Sequence, residues 1–565
     1  MIKPAPAVVL AVLIVTTATS APRVLAATTH TCPNDAALQL WQSTLGAAWL
    51  ACQQVADLTT TGNPWTDPNS LTGMGFPPPG SGTLNSHYTN PTTPPVSGIQ
   101  LYGYFPDGCN AFQIEPALTN KEGLPFIKGC VPPLPLPDGA TCVADCHHDA
   151  QFVLRIPDTW NGTLLSAGTP GIRDAFASDF VLSDYAMEKG WAYVSQDKGN
   201  MGANFYHDAC DEVGTCAATV PPTQTWPGAC GTDPTILTGP PWCAGLAIAE
   251  WNYRMRQATR AARALLNSIA SGYGLLHVTR SYAAGISNGG YQVRRALETD
   301  TPQDQLYDGG VDWEGTLFLA SVPANVKLSS ATTGFNLFTY LPTALQHYPG
   351  DVDGTPSDVA ALAAVGFNPQ SQPLWAYHWT IYWGLTQKIY RLEFDPEYTR
   401  YTCGDTANVG PPCVAPAVLQ VPPDDGDALY SYASRVAANP ALVTRLNSVA
   451  NTGNIQRPLI TLHGDQDSLL PIATDSDLYS QMVPPGLFRY YVVQGGNHVD
   501  PQFDDHYGID MYGTNVLRPM LPCVRSAIDA LAAWVEQNSA PPPSHTILRP
   551  TGASASDLAN RCSLN

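Results

Sequence analysis

The chain has 565 residues, 44% of them hydrophobic and 13% charged, with 52 Pro and 47 Gly. That is too apolar for a disordered protein and long enough for one large domain with insertions, or for two to three domains. Its 47 acidic and 27 basic residues leave a formal charge of −20, which argues against a nucleic-acid partner and offers no attraction to an anionic membrane.

The first residues, "MIKPAPAVVLAVLIVTTATSAPRVLAATTHTC", place a lysine before an apolar run that begins at Val8, with small residues at Ala21 and at Leu25-Ala26-Ala27. The run is shorter than the roughly 20 residues a spanning helix needs, so residues 1–27 read as a secretory signal and the protein as secreted or periplasmic. Fourteen cysteines follow it, an even number that in an exported chain points to disulfides. Short loops such as Cys210–Cys216 and Cys403–Cys413 are natural pairings. "CVADCHH" at 142–148 has no second Cys or His pair at zinc-finger spacing, so no metal is expected.

Residues 28–145 are rich in Pro, Gly, Thr and Asn and predict irregular, disulfide-pinned structure leading into strands. From 146 the texture changes. Phe152–Ile156 reads as a strand, Asn161-Gly162 as a turn, and Thr163–Ser166 as the next strand. "SDFVLSDYAMEKG" has helical spacing and stops at Gly190; "WAYVSQD" is again a strand. "EWNYRMRQATRAARALLNSIASGYG" repeats apolar residues at three- and four-residue steps, which predicts a long helix. "SYAAGIS" then reads as strand, "GGYQVRRALE" as helix and "YDGGVDWEG" as another strand end. Strands alternating with helices predict a mostly parallel sheet covered on both faces. The rhythm lapses over 315–455, which reads as an inserted lid or cap. It resumes over 456–565 with "RPLITLHGDQDSLLP", "FRYYVVQGGNH" and a closing helix.

Three stretches carry chemistry. Gly285-Ile286-Ser287-Asn288-Gly289 matches G-x-S-x-G between a strand and a helix, the setting of a nucleophile elbow. Glycines two positions either side of Ser287 relieve crowding in a strained turn. Asp467 follows the apolar strand "LITLHG", and His498 follows "YYVVQGGN". Ser, Asp, His is the chain order of α/β-hydrolases. A serine hydroxyl needs a base to take its proton, here His498, and the base needs a carboxylate to fix its tautomer, here Asp467. Activity is therefore expected to fall in acid as His498 protonates. Asp465, in the same loop, is a rival acid, and Asp312 or Glu314 in "VDWEG" another. His463 reads as a structural strand-end residue. The oxyanion hole needs two N–H groups: one from Asn288, the other from "LLSAGTPGIRD", where Thr169 is the candidate between Gly168 and Gly171. No cofactor is called for.

The Ser287-Asn288-Gly289-Gly290 elbow, the "VSQDKGNMGANFYHD" stretch at 194–208 and the Ser-Asp-His order together resemble secreted 3-hydroxybutyrate oligomer hydrolases. The resemblance covers mainly 150–315 and 455–540. It implies an α/β-hydrolase fold, an esterase acting on short polyester fragments, and Ser287, Asp467 and His498 as its triad. The chain is similar, more loosely, to tannases and feruloyl esterases. That family has cysteines beside the catalytic serine and histidine, where this chain has Ile286 and Val499. A peptidase of the same fold and a non-catalytic binding protein on a hydrolase scaffold remain as rival readings.

Two further patterns are weaker. Trp375, Tyr377, Trp379, Tyr382 and Trp383 read as the core of the insertion, with a hydrophobic substrate groove as the alternative. Asp351, Asp353 and Asp358 resemble part of a calcium loop without its later ligands, so a solvated acidic turn is the simpler reading.

Overall fold

The structure is a computed structural model. It describes residues 30–47, 49–59, 95–105, 113–119, 125–128, 151–171, 175–198, 247–273, 277–319, 336–347, 356–379, 430–498, 516–553 and 561–565, with single positions such as 383, 390 and 500 between them. Residues 1–27, the 142–148 stretch, Asp351, Asp353 and Val499 lie outside these, as do the Cys210–Cys216 and Cys403–Cys413 loops and most of the 194–208 stretch.

Chain order runs β1 (Trp49–Val55), β2 (Gly98–Tyr104), β3 (Gln113–Thr119), β4 (Pro125–Lys128), β5 (Gln151–Pro157), β6 (Thr163–Gly168) and β7 (Ala192–Gln196). Then come β8 (Arg280–Ile286), β9 (Gly309–Trp313), β10 (Leu459–Gly464), β11 (Phe488–Val493) and β12 (His545–Ile547). Ten of these form one sheet in the order β1-β2-β5-β7-β6-β8-β9-β10-β11-β12, and β3 pairs with β4 alone. β6 to β12 run parallel to one another, whereas β1, β2 and β5 enter by antiparallel pairing. This is a mostly parallel, helix-covered sheet, as the alternation of strands and helices predicts. The sheet begins upstream of the expected core, since β1 and β2 fall within the stretch read as irregular.

The helices are α1 (Asp35–Leu45), α2 (Asp184–Glu188), α3 (Ala247–Tyr273), α4 (Asn288–Thr299), α5 (Asn336–His347) and α6 (Pro356–Ala364). They continue with α7 (Gln372–His378), α8 (Tyr432–Ala438), α9 (Pro440–Val449), α10 (Ser476–Met482) and α11 (Leu521–Gln537). Strand residues alternate between two apolar layers, as the two-residue period requires. Val153, Leu165, Tyr193 and Ala284 pack with α11 residues Val524, Ile528 and Leu531 on one face. Phe152, Leu154, Leu164 and Val194 pack with α3 residues Ala258, Ala262 and Leu265 on the other. No helix among the described residues is long and apolar enough to cross a membrane.

The described part of 315–455 lies between β9 and β10 and is helical. Of its aromatics, Trp375 and Trp383 are fully buried and meet Phe367 edge to face, with ring centroids 5.6 and 5.3 Å away, whereas Tyr382 and the side chain of Tyr377 lie outside the described residues. Two disulfides tie the ends of the fold, Cys32–Cys52 to β1 and Cys523–Cys562 to α11. Asp358 belongs to α6, and its Oδ1 lies 3.4 Å from Nδ1 of His347.

Candidate active site

After β6 the chain turns to one side, to β7, and later returns on the other, as β8. Connections that diverge from neighbouring parallel strands leave a crevice beyond their carboxyl ends, where α/β sheets place their ligands. Thr169 follows β6 and Ser287 follows β8, so both candidates sit at that opening. Asp467 and His498 follow β10 and β11 at the same edge.

Ser287 has φ 58° and ψ −123°, a left-handed conformation that an L residue holds only when its surroundings impose it. Three glycines make room for it. A Cβ on Gly289 would lie 2.3 Å from the carbonyl oxygen of Gly168, and one on Gly285 would lie 2.4 Å from that of Gly289. Ser287 is also the half-exposed position in a run, 281–294, that is otherwise buried. Although it occupies the N-cap of α4, its hydroxyl makes no cap hydrogen bond. A serine there ordinarily accepts from the helix's first N–H groups. The side chain is thus held out of its local structure.

His498 and Asp467 are brought together. Nδ1 of His498 lies 2.7 Å from Oδ2 of Asp467, both side chains being buried. The other oxygen, Oδ1, accepts the backbone N–H groups of Leu469 and Leu470, each at 2.8 Å. That fixes which oxygen faces the imidazole. Burial alone would raise the Asp467 pKa, but the His498 charge and the imidazole donors outweigh it and hold the carboxylate well below its usual range.

Of the rival acids, Asp312 is engaged elsewhere. Its Oδ2 pairs with Nε of Arg294 at 2.6 Å and accepts from Thr461, while Oδ1 accepts from Gly315 N. Asp465 accepts from the N–H of Gly495 at 2.8 Å and from Gln466. Glu314 does reach the site: its Oε2 is 3.6 Å from Nδ1 of His498, and Oε1 accepts from Gly464 N at 2.9 Å. Burial and the neighbouring Asp467 push its pKa well above the ordinary value. The donor atoms of Glu314, Asp467 and His498 lie within 4.8 Å of one another. The 2.7 Å contact between His498 and Asp467 is nevertheless a hydrogen bond. Two ligands of one tetrahedral zinc stand roughly 3.4 Å apart.

Around this core stand further residues, most of which sequence reasoning passed over. His463, expected to be structural, approaches Asp467 Oδ2 with Nε2 at 3.2 Å and lies 2.7 Å from Ser476 Oγ through Nδ1. His378, from α7, lies 2.6 Å from Ser468 Oγ through Nδ1; burial drives its pKa down to about 3, so it is neutral. Also from the insertion, Trp383 donates to Ser468 O at 3.0 Å, Tyr340 to Leu469 O at 2.5 Å, and Tyr390 to Asn288 Oδ1 at 3.0 Å. Thr169 is braced by Gln292, whose Nε2 donates to its carbonyl at 2.9 Å, and by Gln196, whose Nε2 donates to its hydroxyl at 3.1 Å. Among these, Gln196 had a sequence signal as a polar residue ending the apolar run of β7, and His463 as the polar residue near the end of β10.

No protein-family model and no curated protein matches the chain. Solved structures do align with it. Feruloyl esterase B from Aspergillus oryzae is 14% identical over 88% of each chain, with a TM-score of 0.42. The tannin acyl hydrolase of Aspergillus niger is 12% identical over 87% of this chain and 83% of its own, at 0.36. LipA, the rice cell wall degrading esterase of Xanthomonas oryzae, is 11% identical over 78% of this chain and 89% of its own, at 0.33.

Proposed function

We propose that the protein is a secreted serine esterase that hydrolyses carboxylic esters through an acyl-Ser287 intermediate. The observation that carries this is the pairing of His498 with Asp467 at 2.7 Å, at the same sheet edge as a half-exposed serine strained to φ 58°. The two disulfides support the exported setting.

In the proposed mechanism the Ser287 oxygen attacks the ester carbonyl while Nε2 of His498 takes its proton. Nδ1–H of the same ring donates to Asp467 Oδ2, which stabilises the imidazolium. The tetrahedral oxyanion is held by the N–H groups of Asn288 and Thr169. Collapse breaks the bond to the alcohol, which leaves with the proton from His498. Water repeats the sequence on the acyl-serine and frees the acid.

For substrate, short 3-hydroxybutyrate oligomers follow from the sequence resemblance; feruloyl or galloyl esters are the second reading. The deciding experiment follows monomer release from 3-hydroxybutyrate trimer and acid release from methyl ferulate and methyl gallate, with the protein and its Ser287→Ala variant. Release from the trimer that falls at least about 10³-fold in the variant supports the first reading. Turnover of the aromatic esters alone moves the protein to the second. No turnover of any ester, with no fluorophosphonate labelling of Ser287, removes both.

A further inference from the structure

Glu314 follows β9, the strand between the one that leads to Ser287 and the one that leads to Asp467. Its φ of 52° is again left-handed, a conformation shared by only Lys198, Ser287 and Asn538 among the described non-glycine residues. The turn aims a fully buried carboxyl at the imidazole. Oε1 is held by the N–H of Gly464, while Oε2 makes no well-formed hydrogen bond among the described residues, having the Trp313 side chain near it as a weak donor, and stands 3.6 Å from His498 Nδ1. Burying a polar oxygen without a good partner is unfavourable, so a fold that retains one invites a functional explanation.

We propose that Glu314 is a reserve carboxylate for His498, a positioning residue that takes over the Nδ1–H when Asp467 is withdrawn. This rests on the reading of Ser287, Asp467 and His498 as a hydrolytic triad. With Asp467 in place, Glu314 is the farther of two acids on one ring, and burial together with the neighbouring Asp467 raises its pKa. The titratable groups that face it are Asp467 from the loop after β10, and His498 and Asp500 beyond β11. Two carboxylates this close do not both ionise readily. Removing Asp467 removes the nearer negative charge, and Glu314 can ionise against the imidazolium. An approach of about 0.8 Å then brings Oε2 from 3.6 Å to hydrogen-bond distance, within reach of a side chain with three torsions.

The test is a double-mutant cycle of Asp467→Ala and Glu314→Gln, read as kcat/KM on p-nitrophenyl acetate across pH. Glu314→Gln alone should cost less than about 3-fold, and about 10- to 100-fold in the Asp467→Ala background. The Asp467→Ala variant should gain activity with rising pH as Glu314 ionises, and that gain should be lost in the double variant. Equal factors in both backgrounds would overturn the proposal and leave Glu314 a purely structural residue. The cycle is repeated with Asp467→Asn, whose Oδ1 still accepts from Leu469 and Leu470, so that misfolding of the alanine variant cannot hide the answer. Ser287→Ala and His498→Ala run alongside: full activity in both would sink the triad itself, whereas dead controls with additive factors would sink only the reserve role.

Discussion

Gly168 and Gly289 meet backbone to backbone, so closely that a methyl group on Gly168 would lie 2.2 Å from the carbonyl oxygen of Gly289. The last residue of β6 thereby sets how near α4 comes to the loop that holds Thr169. The obstacle is backbone, which no rotamer change can clear. Gly168→Ala should therefore cost about 1–3 kcal/mol or more in urea unfolding and lower kcat/KM at least about 10-fold by moving the elbow. A variant with wild-type stability and rate would show that the two segments are not rigidly fitted.

Arg294 and Asp312 form a fully buried pair with their charged atoms 2.6 Å apart. Asp312→Asn leaves the guanidinium without its counter-charge, which should lower stability by about 3–5 kcal/mol. Well below the unfolding temperature, kcat/KM should fall far less than in Asp467→Asn. The reverse order, a stable variant with a collapsed rate, would return Asp312 to the list of acids.

Asp500 accepts the backbone N–H groups of Met520 and Leu521 and is pushed by burial to about 7, from an ordinary value of 3.8. A carboxyl that binds its proton more tightly when folded contributes fully below its unfolded pKa and loses that contribution as pH climbs through the folded one. Between pH 4 and 7 the native protein should therefore lose stability that Asp500→Asn does not lose. Urea midpoints at pH 4, 5.5 and 7 measure the two slopes; parallel lines would place Asp500 in the ordinary range.

The Cys523–Cys562 bridge closes a separation of 39 residues and anchors the chain end, where Leu564 is buried, beside α11. Replacing both cysteines by serine should cost about 2–5 kcal/mol. Reductant should lower the stability of the native protein by more than that of the variant, which no longer has this bridge to lose.

The parallel centre of the sheet was legible because buried strands read as short apolar runs. "LLSAG", "SYAAGI" and "LITLHG" all became strands, and the three-and-four spacing of "YRMRQATRAARALL" became α3. β1, β2 and β12 were missed for a physical reason: near the sheet's edges, polar residues such as Gln53 and His545 interrupt the pattern. At the site, chain order and strand ends led to Ser287, Asp467 and His498, and the last two do meet. The contest between Asp467, Asp312 and Glu314 could not be settled in one dimension, since each ends or follows a neighbouring strand. Which carboxyl faces the ring depends on the Leu469 and Leu470 amides and on Arg294. Arg294 reaches Asp312 from 18 positions away along the chain, and its Nη2 donates to Ser476 Oγ, 182 positions further on than Arg294. His378 had no signal at all, because its partner Ser468 lies 90 residues further on.

The bonds from Tyr390 to Asn288, from Trp383 and His378 to Ser468, and from Tyr340 to Leu469 join the segment between β9 and β10 to both the residue after Ser287 and the loop that holds Asp467. The insertion is thus not an interchangeable module. Replacing it whole would strip four supports from Asn288 and from the Ser468-Leu469 stretch beside Asp467, so any segment that took its place would have to supply its own equivalents of those four side chains.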